Sequence, residues 1–463
     1  MRQADLTIVI LAAGLGTRMK STRAKVLHRA GGMTLIEHVA DTALVLTHPE
    51  RIHVVVGHQA EQVRQTAGGR GVSFIEQKEQ KGTGHALMAA KEQLAGLGGL
   101  LAVLYGDCPL ISAPTLRSLI ERQRTGDAAA TVITTLLDDP TGYGRVVTGN
   151  AGCVTGIVEQ KAATPEQLKI REVNSGIYCF DAKLFWQHLD GIKPDNPARE
   201  YYLTDIVELL HQAGHNVQAI RIDDPAEVLG INNRIELAEV DRVFRQRKTR
   251  ELMLEGVTIE KPETVTIDAG VRIGADTVVE PFTQILGATV IGANCRIGAC
   301  SIVEDSELAD GVQVGPFTII GTSKVEQGAL VGPYSRLRVD NHVEAGAHIG
   351  NFVELKKTRL GAGAKAMHLA YLGDSSIGRG VNIGAGTITC NYDGVNKHAT
   401  KIGDGAFVGS NSTLVAPIDI GEGAYLGAGS VITSPVPPGA LAIGRGRQVN
   451  KEGWAAKRAA QKK

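Results

Sequence analysis

Aromatic side chains are scarce: Phe, Trp and Tyr together make up 4% of the 463 residues, against 56 glycines. That combination argues against one conventionally packed globule and points to something repetitive with tight turns in part of the chain. Excess charge of either sign is also missing, because 49 Lys+Arg balance 49 Asp+Glu. The basic footprint of a nucleic-acid or acidic-membrane binder is therefore absent, and neither partner is expected. No long hydrophobic run occurs. The apolar stretch from Leu6 to Ala13 is far below the roughly 18 residues of a membrane span. It also lacks the features of a secretory signal, so a cytoplasmic chain is expected. The six cysteines (Cys108, Cys153, Cys179, Cys295, Cys300, Cys390) form no C-x-x-C pair and no metal-ligand spacing. They read as reduced thiols.

What is present divides in two, within a length that suggests two to four domains. The first 230 residues alternate strand and helix. Leu6–Leu11, His53–Val56 and Leu101–Tyr105 are short apolar runs of buried-strand type. Thr34 and Glu37 have capping-box spacing, and Ile36, Val39, Ala40 and Ala43 then recur at helical intervals. Such alternation predicts a mostly parallel sheet covered on both faces. From Arg234 to Glu255 no Gly or Pro interrupts a run rich in charge. This reads as a linker helix about 30 Å long.

After Gly256 the period becomes six. Ile273, Val279, Ile285, Ile291, Ile297 and Val303 stand six apart, as do Val325 through Leu355 and Ile402 through Ile432. Each such run has a chance of about one in four thousand per phase if Ile, Leu and Val make up about a quarter of residues. A six-residue period is neither helical nor two-fold. It is the signature of a parallel β-helix whose three short strands close one triangular coil, with the aliphatic side chain pointing in. The span to about Ala440 would hold roughly ten coils, stacking to about 50 Å.

In the first half, Leu11-Ala-Ala-Gly14-Leu-Gly16-Thr17-Arg18 follows the first strand. Met19 occupies the third glycine position of a dinucleotide fingerprint, and no Walker lysine follows. A Gly-rich turn after a strand can still wrap phosphates with its N–H groups. Arg18 and Lys25 add the cations that a triphosphate requires before a nucleophile approaches. Tyr105-Gly106-Asp107 ends a strand where ligands of open α/β sheets gather, and its carboxylate could hold Mg²⁺. A plain Gly-Asp turn is an equal alternative on this reading alone.

Taken with Lys25-Val-Leu-His28, Gln77, Gly82-Thr83-Gly84-His85, Gly142-Tyr-Gly144-Arg145, Glu159, Asn174-Ser-Gly176 and Gly230-Ile-Asn232-Asn233, the first half resembles the sugar-1-phosphate nucleotidyltransferases. With the hexapeptide half included, residue 6 to Trp454 resembles the bacterial bifunctional N-acetylglucosamine-1-phosphate uridyltransferase and glucosamine-1-phosphate acetyltransferase family. The resemblance implies a Rossmann-like α/β nucleotidyltransferase domain (1–233), a linker helix (234–255), and a left-handed parallel β-helix acetyltransferase domain with a C-terminal tail (256–463). It implies that Leu11, Gly14, Arg18, Lys25 and Gly106 belong to the nucleotide site, with Gln77, Gly82 and Thr83 on the uracil. Tyr105, Gly144, Glu159 and Asn174 would line the sugar side, and Asp107 and Asn232 would bind Mg²⁺. One departure is Ala24, where the family usually has proline before the lysine, which suggests a less rigid loop.

In the second half, the residues that break the six-fold pattern draw attention. Thr389 to Thr400 is a polar insert. Ala366 and Leu372 lie six apart and should face inward, which puts His368 on an outward position where it could take a proton. Arg338 and Lys356 each follow an inward aliphatic and should flank the coil surface. The resemblance implies that His368 is the general base for acetyl transfer from acetyl-CoA to glucosamine 1-phosphate. It implies that Arg338, Lys356, Tyr371 and Asn382 hold the amino-sugar phosphate. Ala385, Asn391, Tyr392, Lys397, Ser410, Ala428 and Arg445 would contact acetyl-CoA or flank it, and a homotrimer would carry acetyl sites between subunits. Val339, Met367 and Ala370 depart from the family pattern, and the bulk of Met367 could shift the His368 ring. The Lys-rich end, 451–463, reads as a solvated tail or one packed on a neighbour.

The implied product, UDP-N-acetylglucosamine, would feed cell-wall and lipopolysaccharide synthesis. Two other readings stand beside it: a nucleotidyltransferase whose β-helix is only an assembly scaffold, and a non-catalytic subunit of the same layout. His368 and the polar insert argue against the first. The retention of Lys25, Asp107 and Asn232 together argues against the second.

Overall fold

A computed structural model describes residues 5–149 and 152–461. It separates into two compact units that divide between Phe244 and Arg245. In the first, the element order is β1 (Leu6–Ala12), α1 (Leu35–Leu44), β2 (Ile52–Val56), α2 (Ala60–Gly68), β3 (Ser73–Glu76), α3 (Thr83–Leu94), β4 (Leu100–Tyr105), α4 (Ala113–Thr125), β5 (Ala130–Leu136), β6 (Arg145–Thr148), β7 (Val154–Val158), β8 (Glu172–Asp181), α5 (Ala182–His188), α6 (Asp205–Gln212) and β9 (Val217–Arg221). The central sheet runs β9-β5-β8-β4-β1-β2-β3. Strand β1 pairs in parallel with β2 and β4. It sends Ile8 and Ile10 into one apolar core and Val9 and Leu11 into another. This two-sided burial is what a continuous apolar strand requires.

One strand departs from the expected parallel order. Strand β8 runs antiparallel to both β4 and β5, and β6 and β7 form an antiparallel hairpin beside it. Among the described residues no α-helix separates β6, β7 and β8, only the short 3-10 turn Gln167–Lys169, and these strands turn back on themselves without the helical crossover that a parallel return usually takes. The capping box at α1 forms as its spacing predicts: Thr34 accepts from the Glu37 N–H, and Glu37 accepts from the Thr34 N–H at 2.8 Å.

The charged stretch after residue 233 forms the helix α7 (Arg234–Leu254). In its first half Val240 is buried, Phe244 stacks on His38 at 4.0 Å, and Asp241 accepts from the Gly31 N–H at 2.8 Å. No helix among the described residues is long and apolar enough to cross a membrane.

The second unit is a parallel β-helix of three sheets with 11, 10 and 9 strands. On the first sheet the inward partners Val279, Ile297, Val314, Val331, Ile349, Ala366 and Ile383 lie 18 or 17 residues apart. The residues of the six-fold runs are all buried. The phase breaks share one place, the corner between the second and third sheets. There Val303–Leu308, Ile320–Val325, Leu355–Leu360 and Leu372–Ile377 are five-residue steps, and the insert between Thr389 and Ile402 leaves the same corner. Each short corner is turned by a residue at positive φ: Asp305, Thr322, Lys357 and Asp374. Deletion is tolerated there because it shortens the turn and leaves the inward register intact. The six cysteines are free thiols. A short exposed helix, Trp454–Ala460, ends the described chain, and Lys462 and Lys463 lie outside the described residues.

Leu337 is fully buried in this column. Leu337→Ala should destabilise the chain by about 2–5 kcal/mol, whereas Arg336→Ala, at the outward neighbour, should stay within about 0.5 kcal/mol. Denaturant unfolding of both variants checks this.

Candidate functional site

At the C-terminal ends of β1 and β4, three stretches of chain meet on one ammonium group. Lys25 Nζ lies on Asp107 Oδ2 and 3.3 Å from Asn232 Oδ1, and Arg18 donates to the same Asn232 oxygen at 2.8 Å. The backbone joins in, with Gly106 N–H donating to Leu11 O at 2.9 Å and Ile231 N–H to Asp107 O at 3.0 Å. Gly16 is needed here: at φ +62 a Cβ on it would lie 2.7 Å from the Lys25 Cβ. Gly14 is exposed on the same turn.

The loop before Lys25, where proline is absent, is held by a side chain from elsewhere in the fold. Ala24 holds φ −55, the value a proline ring imposes. Its free N–H donates to Gln59 Oε1 at 2.7 Å, while Gln59 Nε2 donates to Thr22 O at 2.6 Å. A side-chain clamp replaces the ring.

The residues expected on the base and sugar also gather. Gln77, buried, donates to Gly82 O at 3.1 Å and faces His85 Nδ1 at 3.0 Å. Thr83 Oγ1 accepts from Leu203 N–H at 3.0 Å and lies against the Tyr105 phenol. Asn174 N–H donates to Gly144 O at 2.9 Å, beside a register shift in β8, and Glu159 Oε1 accepts from Thr204 at 3.3 Å. Burial raises the Glu159 carboxyl above its ordinary range. Asp205 is pushed up to about 6, chiefly by burial and then by the charges of Glu159 and Glu208. Sequence reasoning missed Gln59, Thr204 and Asp205, which act from other elements and carry no motif.

Two hard oxygens, Asp107 Oδ2 and Asn232 Oδ1, face one cation position that Lys25 now fills. Among the described residues no three His, Cys, Asp or Glu side chains group as metal ligands. That donor set fits Mg²⁺, which keeps most of its shell as water and phosphate oxygen.

On the β-helix the expected residues fall on one face and its two corners. The corner between the first and second sheets carries His368, exposed, at the end of its strand. Backbone bonds stack the coils along this corner: Leu369 N–H to Asn351 O (3.0 Å), Gly386 N–H to Leu369 O (3.1 Å), Asn411 N–H to Ala385 O (2.7 Å) and Gly429 N–H to Ser410 O (2.8 Å). Arg445 caps the column by donating to Ala428 O at 2.8 Å. Asn382 is half-buried on the first sheet, paired with Lys365 and Phe407. Met367 is half-buried, Ala370 buried and Val339 exposed.

The opposite corner holds the cations. Arg338 is exposed and donates to Glu354 at 3.1 Å. Lys356 is not on the coil surface as its position suggested, being only 9% exposed. The insert folds over it. Asn391 donates to Asp374 Oδ2, Lys356 Nζ lies 3.7 Å from the same oxygen, and Lys397 meets Lys356. The Lys356 ammonium beside it lowers Lys397 below its ordinary value. Tyr371 Oη and Asn391 close over Gly373, while Tyr392 is exposed and donates to Gly394 O at 2.6 Å.

Because Asp205 binds its proton more tightly folded (about 6) than unfolded (3.8), it makes stability fall as pH rises from about 4 to about 6. Asp205→Asn should flatten that slope, raising the unfolding midpoint relative to the parent at pH 7 more than at pH 4. Thermal melts across that range check it.

Comparison with known proteins agrees with both halves. Residues 8–156 match the MobA-like NTP transferase domain, and residues 270–305 and 399–434 match the bacterial transferase hexapeptide (six repeats). The bifunctional protein GlmU of Solibacter usitatus (strain Ellin6076) is 68% identical over 453 residues, covering 98% of this chain and 97% of its own. That of Koribacter versatilis (strain Ellin345) is 52% identical over 459 residues, with 98% of each chain covered. That of Geotalea uraniireducens (strain Rf4) is 45% identical over 455 residues, covering 98% and 99%. With this identity running through both units, the chain belongs to the family of the bifunctional protein GlmU.

Proposed function

We propose that this chain makes UDP-N-acetylglucosamine in two steps, acetylating glucosamine 1-phosphate on the β-helix and transferring uridylyl from UTP in the α/β unit. The observation that carries the reading is the convergence of Arg18, Lys25, Asp107 and Asn232 at the strand ends, on the same chain as the His368 corner. The assigned spans are 1–233 for uridylyl transfer, 234–255 for the linker and 256–463 for acetyl transfer.

In uridylyl transfer a phosphate oxygen of N-acetylglucosamine 1-phosphate attacks the α-phosphorus of UTP. A P–O bond forms and the bond to the β-phosphate breaks, releasing pyrophosphate. Arg18 and Lys25 neutralise the phosphates, so that the incoming anion meets less repulsion. Asp107 and Asn232 would hold Mg²⁺, which supplies further neutralisation when bound. Gln77, Gly82 and Thr83 orient the base, while Tyr105, Gly144, Glu159 and Asn174 orient the sugar. Positioning of both phosphates is the main catalytic work.

In acetyl transfer the amine of glucosamine 1-phosphate attacks the thioester carbonyl of acetyl-CoA. His368 takes the proton, the C–N bond forms, and the C–S bond breaks to release CoA. Arg338, Lys356, Tyr371 and Asn382 hold the sugar phosphate. Ala385, Asn391, Tyr392, Ser410, Ala428 and Arg445 receive acetyl-CoA. We assign a homotrimer, supported by Phe317, Tyr334 and Phe352, which are exposed and stack at 5.0 and 5.4 Å along the His368 corner. An exposed apolar column of this kind suits a subunit contact. A cytoplasmic setting follows from substrates of this kind, UTP and acetyl-CoA.

Asp107→Ala should abolish uridylyl transfer and leave acetylation intact. His368→Ala should cut acetylation by about 10²–10⁴-fold and leave uridylyl transfer intact. Separate assays of the two half-reactions on folded variants decide the matter. Loss of both activities in either variant would contradict two independent sites.

A further inference from the structure

The segment Tyr201–Asp205, which leads into α6, touches both halves of the α/β site. Tyr201 N–H donates to Lys81 O at 2.8 Å, Gly84 N–H donates to Tyr201 O at 2.8 Å, and Leu203 N–H donates to Thr83 Oγ1 at 3.0 Å. The fit is close: at φ +114, a Cβ on Gly82 would lie 2.5 Å from Tyr201 O. One residue further on, the buried Thr204 hydroxyl donates to Glu159 Oε1 at 3.3 Å. That hydroxyl makes no cap to α6, although Thr204 stands at the N-cap position. Its hydrogen bond is therefore directed at the carboxylate and not at the helix.

We propose that Thr204 is a positioning residue for sugar recognition: its hydroxyl holds the Glu159 carboxylate in its sugar-binding orientation, and the Tyr201–Asp205 segment ties that carboxylate to the nucleotide loop at residues 81–84. The proposal rests on the reading of Glu159 as a sugar-site residue in uridylyl transfer.

The electrostatics agree. Burial raises the Glu159 carboxyl, the Thr204 hydrogen bond lowers it, and the charge of Glu200 raises it again. Asp205 on α6, Tyr105 on β4, Tyr178 on β8 and Tyr202 in the connecting segment also face this carboxyl. The Thr204 donor thus helps keep ionised a carboxylate that its surroundings favour protonating, and an ionised carboxylate accepts more strongly from sugar hydroxyl and amide groups.

Thr204→Val conserves shape and removes only the donor, and Thr204→Ser keeps it. With full-length protein and Mg²⁺, Thr204→Val should raise KM for N-acetylglucosamine 1-phosphate about ten-fold, with smaller changes in kcat and in KM for UTP. The acid limb of the KM profile should move to higher pH. Thr204→Ser should restore both, and acetyl transfer should be unchanged in each variant. An unchanged KM and pH profile in Thr204→Val would overturn the proposal, as would an equal defect in Thr204→Ser, which would assign the effect to packing. Wild-type protein without uridylyl transfer would overturn the functional reading, and this proposal with it.

Discussion

The α/β site depends on one ammonium group shared between two side-chain oxygens. Lys25 comes from the loop after β1, Asp107 from the end of β4 and Asn232 from the residues just before α7. The Lys25 and Asp107 side chains are only 16% and 13% exposed, so both charges have lost much of their water. Such a pair is favourable only when other hydrogen bonds complete it. Asn232 Oδ1 supplies one to Lys25 and is itself held by Arg18, and Gly16 clears the space for the lysine stem. The same arrangement sets two cations and two hard oxygens side by side at the strand ends.

A different constraint shapes the β-helix. Its inward positions are fixed by burial, so change can enter only at the corners. The five-residue turns and the polar insert all fall at one corner, and that is where Lys356, Asp374, Asn391 and Lys397 assemble. Asp374 itself turns a short corner at positive φ while accepting from Asn391. The repeat provides a rigid frame, and its one irregular corner provides the polar groups. At the other corner the ladder of backbone bonds keeps His368, Ala385, Ser410 and Ala428 aligned across successive coils.

The main architecture was readable because burial imposes periodicity. The aliphatic residues six apart are the inward columns of the prism, and the apolar runs of the first half are strands buried on both faces. The capping box at Thr34 was equally local. What escaped depends on contacts remote in sequence. The antiparallel course of β8 follows from missing crossovers and not from its own residues. Lys356 reads as a surface cation until the insert covers it, and Ala24 reads as a loosened loop until Gln59 supplies the hydrogen bond. Thr204 lies 45 residues from Glu159 and looks like an ordinary residue ahead of a helix.

The central claim is that both transfers occur on one chain. Incubating the purified protein with glucosamine 1-phosphate, acetyl-CoA, UTP and Mg²⁺, and following the mixture by phosphorus NMR with a thiol assay for free CoA, tests it most directly. The account predicts UDP-N-acetylglucosamine, pyrophosphate and free CoA thiol from these substrates alone. Product that forms only after N-acetylglucosamine 1-phosphate is supplied would contradict it, leaving the β-helix without acetyl transfer.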